Sequence, residues 1–168
     1  YDDSKSSFVP GLFKVPLNAN TGMETVFTNN MIDIGPFVAG NKLYMPHRDL
    51  TTGLVSGISV FSIPSGEVEN IIPCSCNYTW GTSTWMPSMN AAIVFGLGAS
   101  NNALLKVELD GTVTELASYS TSFDLLGGLA ASAEGKLYGL SKAGVVYAIN
   151  TSNYNTSVVG NTGIQSEY

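Results

Sequence analysis

Few side chains in this sequence are of the types that do chemistry, and only one histidine is among them. His47 is followed by Arg48 and Asp49. An imidazole that titrates near neutrality beside a guanidinium and a carboxylate has the composition of an acid/base site. Adjacent residues at a strand end point in different directions, however, and no nucleophile is placed with them by spacing. The triplet is expected to be solvated loop charge, Asp49 pairing with Arg48, with a ligand contact as the alternative. Trp80 and Trp85 flank Gly81-Thr82-Ser83-Thr84. Exposed, the pair would stack on sugar rings or on a partner's side chains; buried, it would fill space between structural units, and packing is the favoured reading.

The other reactive types lead less far. Cys74 and Cys76 are separated by one residue. In extended chain such a pair lies roughly 6 to 7 Å apart with parallel Cβ vectors, which disfavours a mutual disulfide. Two thiols are also too few for a metal. Partly buried free thiols, or a bond to a cysteine outside this sequence, are expected. Asp2 and Asp3 lack the spacing of a calcium loop. Asp33 and Asn90 are the only modest candidates for an axial metal site, and the expectation is no metal and no cofactor. Asn77-Tyr78-Thr79, Asn150-Thr151-Ser152 and Asn155-Thr156-Ser157 are acceptor patterns for N-glycosylation. With few lysines beside them, they point to an extracellular, cell-surface or periplasmic protein, its glycans on exposed turns.

The elements that must position these residues follow from composition and repetition. Of the 168 residues, 44% are hydrophobic and only 12% charged, with 18 glycines, which suits short strands and tight turns better than amphipathic helices. A net charge of −6 with no basic cluster opposes a phosphate backbone, so nucleic acid is excluded as a partner. The apolar runs, such as 91–97 and 127–133, fall well short of the roughly 18 to 20 residues of a membrane span.

One pattern occurs four times: a strand ending in an aliphatic residue, a turn bearing Gly or Asn, and another strand. Its anchor positions Val15, Ile63, Val107 and Ile149 lie 48, 44 and 42 residues apart. A strand ending in an aromatic precedes the last three hairpins, at Tyr44, Phe95 and Tyr138, with steps of 51 and 43. Upstream of each lies a small or apolar segment, 32–39, 85–90 and 128–133, suited to an inner strand crowded around an axis. Four short strands per 42 to 51 residues is the size of a propeller blade. An all-β propeller of about four blades' worth of four-stranded antiparallel repeats is expected, with units near 1–31, 32–73, 85–119 and 128–160 and a further strand starting at 163–168. An irregular β-sandwich is the alternative fold.

The run Gly135-Lys136-Leu137-Tyr138-Gly139, followed by Val145 to Asn150, resembles the repeat of quinoprotein-like and YVTN-type propellers. The likeness extends weakly over nearly the whole chain and implies the propeller fold. The blade-docking tryptophan of quinoprotein repeats has no counterpart after Ser65-Gly66 or Asp110-Gly111, which is at odds with quinone binding and dehydrogenase activity.

In such a blade the turns at 39–41, 65–66, 110–111 and 134–135 emerge on one face. The longer connections at 2–7, 47–57, 74–84, 100–102 and 119–124 emerge on the other, and variable loops on a rigid scaffold favour binding there. The expected function is a non-enzymatic binding or assembly module that takes a protein or carbohydrate partner through the long-loop face. A metal-dependent enzyme of the lactonase or lyase sort is the alternative. Because Tyr1 and Tyr168 both fall inside apparent strands, the chain is expected to be part of a larger propeller, completed by further blades of the same protein or by another copy of the chain. Produced alone, such a block should aggregate or self-associate, since unpaired strand edges and blade faces would be exposed; the alternative is that the strand at 163–168 docks beside Tyr1 and closes a four-bladed ring.

Overall fold

A computed structural model describes residues 11–14, 24–28, 35–49, 51–63 and 65–164. The architecture is all-β and of propeller type. The strands β1 (Gly11–Lys14) and β2 (Glu24–Thr28) form a two-stranded antiparallel pair. Three four-stranded antiparallel sheets follow in chain order, each a meander in which sequence neighbours are hydrogen-bonded neighbours. The first contains β3 (Phe37–Ala39), β4 (Lys42–Arg48), β5 (Val55–Ser62) and β6 (Val68–Pro73). The second contains β7 (Thr79–Met86), β8 (Ala91–Leu97), β9 (Asn102–Val107) and β10 (Val113–Tyr119). The third contains β11 (Gly128–Ala131), β12 (Leu137–Leu140), β13 (Val145–Ile149) and β14 (Thr156–Asn161). A single 3-10 turn at Pro87–Met89 is the only helical element among the described residues.

The sheets meet face to face around their first strands, β3 and β11 both packing on β7. Side chains alternate across each strand, and the first and second sheets each bury apolar residues on both faces. Between the first and second sheets lie Phe37, Tyr44, Val60, Trp80, Val94 and Leu105. Between the second and third lie Met86, Ile93, Phe95, Leu104, Leu125 and Leu137. The aromatic repeat is the hinge of this packing: Phe37 stacks on Tyr44 at 4.9 Å and on Trp85 at 6.1 Å, while Phe95 meets Phe123 edge-on at 6.2 Å. The tight turns also lock blades together. At Gly111, φ is +92° and a Cβ would fall 2.4 Å from the Pro73 carbonyl oxygen, so the turn joining β9 to β10 can press on the end of β6 only as glycine.

Two sequence expectations are corrected. The segment 74–84 is not one long connection, because β7 already begins at Thr79, leaving only Cys74 to Tyr78 to cross between blades. Thr82 and Thr84 are β-branched and lie between two tryptophans, a composition that favours a strand once neighbouring blades bury it. The inner strand of that unit is therefore not 85–90: it ends at Met86, and Pro87, which cannot donate to a ladder, starts the 3-10 turn. Likewise the connection within 47–57 is shorter than expected, since β4 extends to Arg48 and β5 begins at Val55.

Candidate functional site

Where the first strands begin and the second strands end, the second and third blades part to form a cleft of about 760 Å³. Thr79, Trp80 and Gly81 at the start of β7 and Leu97 at the end of β8 supply one side. Leu126 and Gly127 in the connection before β11, Leu140 at the end of β12, and Ser141, Lys142, Thr162 and Ile164 supply the other. Every one of these positions belongs to the long-loop face. The walls are leucine, isoleucine and glycine backbone; Thr79, Ser141, Lys142 and Thr162 provide polar groups.

The connection from Ser120 to Gly127 forms the inner wall and is fixed from three directions. The Asn102 side-chain amide, buried at the start of β9, donates to the carbonyls of Phe123 at 2.9 Å and Thr121 at 3.4 Å. The Thr82 hydroxyl on β7 donates to the Leu125 carbonyl at 3.0 Å. The Asp124 carboxylate accepts from the backbone N–H of Lys142 at 2.8 Å and of Leu126 at 3.2 Å. At Gly81 a Cβ would approach a Leu126 methyl to 2.5 Å, so the β7 backbone runs directly against that leucine. With all three tethers in place the cleft is preformed, as small-ligand and side-chain pockets usually are.

The residues singled out for chemistry do not converge. His47 and Arg48 lie at the end of β4, His47 opposite Gly57. An Arg48 Nη2 donates to the Trp80 carbonyl at 3.4 Å, tying the first blade to the inner strand of the second. Asp49 turns away into its own loop, where one carboxylate oxygen accepts from the N–H groups of Thr51 and Thr52, each at 2.8 Å, and from the Thr52 hydroxyl at 3.2 Å. The Thr52 and Thr51 amides, then that hydroxyl, hold the carboxyl below the usual carboxylate range. It is a turn cap. Trp80 is fully buried in the interblade core and Trp85 is half-buried on Phe37, so neither tryptophan stands as an open stacking platform.

Cys74 and Cys76 are free and buried, and burial pushes the Cys74 thiol up to about 11, with Cys76 adding to it. Asn90 is exposed, with φ 48° after the 3-10 turn. Asp2, Asp3 and Asp33 lie outside the described residues. Among the described residues no three His, Cys, Asp or Glu side chains are grouped to hold a metal. Asn77, Asn150 and Asn155 are all exposed. Sequence reasoning missed Asn102, Thr82 and Asp124, the groups that shape the cleft. A lone amide opening the apolar strand Asn102–Val107 is the signal for Asn102.

No family model matches the chain, and no curated protein matches it in sequence. Among solved structures the chain is similar to an oligogalacturonate lyase in complex with manganese, with a TM-score of 0.54 and 12% identity over 83% of this chain and 39% of the lyase. It is also similar to the oligogalacturonate lyase of Vibrio parahaemolyticus, with a TM-score of 0.50 and 12% identity over 83% of this chain and 40% of that one. A protein of unknown function from Bacteroides caccae gives a TM-score of 0.50 and 12% identity, over 84% of this chain and 51% of its own. The chain thus spans about two-fifths to one half of these structures. At such identity the likeness establishes the propeller fold.

Proposed function

We propose that this chain is a propeller binding module that holds apolar side chains of a protein partner in the cleft between its second and third blades. The observation that carries this reading is the cleft itself: a preformed space of about 760 Å³ walled by Leu97, Leu126, Leu140 and Ile164. A sugar ligand would call for an open aromatic face and a dense polar lining, whereas Trp80 and Trp85 are committed to blade packing. The exposed sequons at Asn77, Asn150 and Asn155 support a secreted or cell-surface setting.

Selection of a displayed peptide library on the chain tests this. Binders are expected to share Leu, Phe or Met anchors and to be lost with Leu126→Asp and with Ile164→Asp, the latter at a residue already 72% exposed and so harmless to folding. Binders without an apolar consensus, or indifferent to both changes, would overturn the reading.

A second reading, a lyase-like propeller enzyme, is favoured by the fold likeness to two oligogalacturonate lyases. The donor set among the described residues does not fit a metal, and no catalytic step is derived from one. Ultraviolet detection of unsaturated product from oligogalacturonate, with and without added manganese, distinguishes the two readings: turnover would favour the enzyme.

A further inference from the structure

Among the described residues that line the cleft between the second and third blades, one is charged, Lys142. It stands in the connection from the second to the third strand of its sheet, at 141–144. The matching connection of the first sheet, 49–54, carries the acidic Asp49, and that of the second, 98–101, carries no charge. The cation is therefore a departure from the repeat, and it falls where the cleft lies. Its backbone is fixed. The Lys142 N–H donates to the Asp124 carboxylate at 2.8 Å. The turn is closed by the Gly144 N–H donating to the Ser141 carbonyl and the Ser141 N–H donating to the Val145 carbonyl, each at 3.0 Å. The residue itself is exposed.

The other polar groups of the cleft are already engaged. The Thr79 hydroxyl donates to the Gly53 carbonyl at 3.0 Å, the Thr162 hydroxyl donates to the Gly144 carbonyl at 3.2 Å, and the Ser141 hydroxyl accepts from the Val145 N–H at 3.1 Å. The Asp124 carboxylate takes the N–H groups of Lys142 and Leu126. What these leave for a ligand is leucine and isoleucine surface beside an ammonium, which matches a molecule with an apolar body and one anionic end. An ammonium carries three donors, so it can hold a carboxylate alongside its other neighbours. Such a pair is strengthened where apolar walls lower the local dielectric.

We infer that the cleft takes the carboxyl-terminal residue of a protein partner, its apolar side chain among Leu97, Leu126 and Leu140 and its terminal carboxylate on Lys142. This rests on the binding function proposed for the cleft and specifies which part of the partner enters it. Two features favour a chain end over an internal acidic residue. The connection from Ser120 to Gly127 closes the inner side, so a segment running through the cleft would meet a wall. Peptide groups taken out of water also need partners, and the engaged hydroxyls do not supply them. A chain end brings in one peptide group where an internal segment brings in several. In a terminal residue the side chain and the carboxylate branch from the same carbon, so both can reach one small site, as in other captures of a chain terminus.

A library of random peptides fixed by their amino ends, with the carboxyl end free, tests this beside the same library amidated. Bound sequences are expected to end in Leu, Phe or Met, and amidation should weaken their binding about tenfold or more, the worth of a hydrogen-bonded charge. Lys142→Ala keeps the backbone N–H that Asp124 accepts, so the thermal melt should not move. It should bring the free acid down to the level of the amide and leave binding of the amide as it was. Equal binding of acid and amide, a consensus set by internal Asp or Glu, or a Lys142→Ala chain that still prefers the free acid would each overturn the inference. Leu126→Asp separates it from the function it rests on. Apolar binders that are lost with Leu126→Asp yet indifferent to amidation refute the terminal carboxylate alone, whereas binders indifferent to Leu126→Asp refute both.

Discussion

Replacing Phe95 with alanine removes the ring that joins the second and third blades. Phe95 is fully buried, lies edge-on to Phe123 at 6.2 Å and tilted to Tyr119 at 6.4 Å, and shares its cluster with Leu104, Leu125 and Leu137. Those neighbours stand on three different strands and a loop, so they cannot all collapse into the space a ring leaves. Phe→Ala changes at such sites cost about 3–5 kcal/mol, a large part of the roughly 5–15 kcal/mol that holds a domain folded. For a domain of this size each kcal/mol lowers Tm by about 2–4 °C, so a drop of roughly 6–20 °C is expected in a thermal melt followed by circular dichroism. Val158→Ala serves as the control: that residue is 67% exposed, and surface changes of this kind stay within about 0.5 kcal/mol. If Phe95→Ala melts within about 3 °C of the parent, a bound of roughly 1 kcal/mol by the same conversion, the blades are not held together through this ring and the assigned packing is wrong.

Asn102→Ala leaves the carbonyls of Thr121 and Phe123 without their donor; a loss of about 1–3 kcal/mol is expected, with faster amide hydrogen exchange confined to the connection before β11. Cys74, its thiol pushed up to about 11 by burial, should alkylate far more slowly in the native chain than in the unfolded chain at pH 8. Its folded value stands above the ordinary thiol value, so the unfolded state loses this proton first. Stability should therefore be intact at neutral pH and fall as pH rises from about 9 toward about 11, and Cys74→Ser should flatten that alkaline limb. Asp49 behaves in the opposite sense. Its carboxyl is held low by the Thr52 and Thr51 amides, so its contribution is present above the ordinary carboxylate range and lost as pH falls through the depressed value. Asp49→Asn, which keeps an acceptor for the turn, should remove that acid dependence while preserving the hairpin between β4 and β5, as judged by its amide exchange.

What the sequence reveals of this molecule depends on the range of the interaction that does the ordering. The turns at Asp110-Gly111 and Glu134-Gly135 are local, and a glycine next to a carboxylate between apolar runs announces them. The period announces the blades, because each blade must offer the next an aromatic at the same place, which is why Tyr44, Phe95 and Tyr138 can be aligned by eye. The stretch around Trp80 misleads for the opposite reason. Read alone, Gly81-Thr82-Ser83-Thr84 is loop-like in composition, and it becomes strand through partners far along the chain: Thr82 reaches Leu125, and the Thr84 hydroxyl accepts from the Ala131 amide at 3.2 Å. Those bonds cross between blades and leave no mark at short spacing. The cleft is harder still to read, since it is assembled from the ends of strands in two blades and from side chains that the rest of the chain uses as filler. A ligand site on a repeated scaffold has to break the repetition somewhere. Here the break is the crossover from Ser120 to Gly127, longer than the one from Cys74 to Tyr78, and it brings Leu126 to the mouth of the cleft. Irregularity in connection length, more than any reactive side chain, is therefore the sequence feature that points to the site.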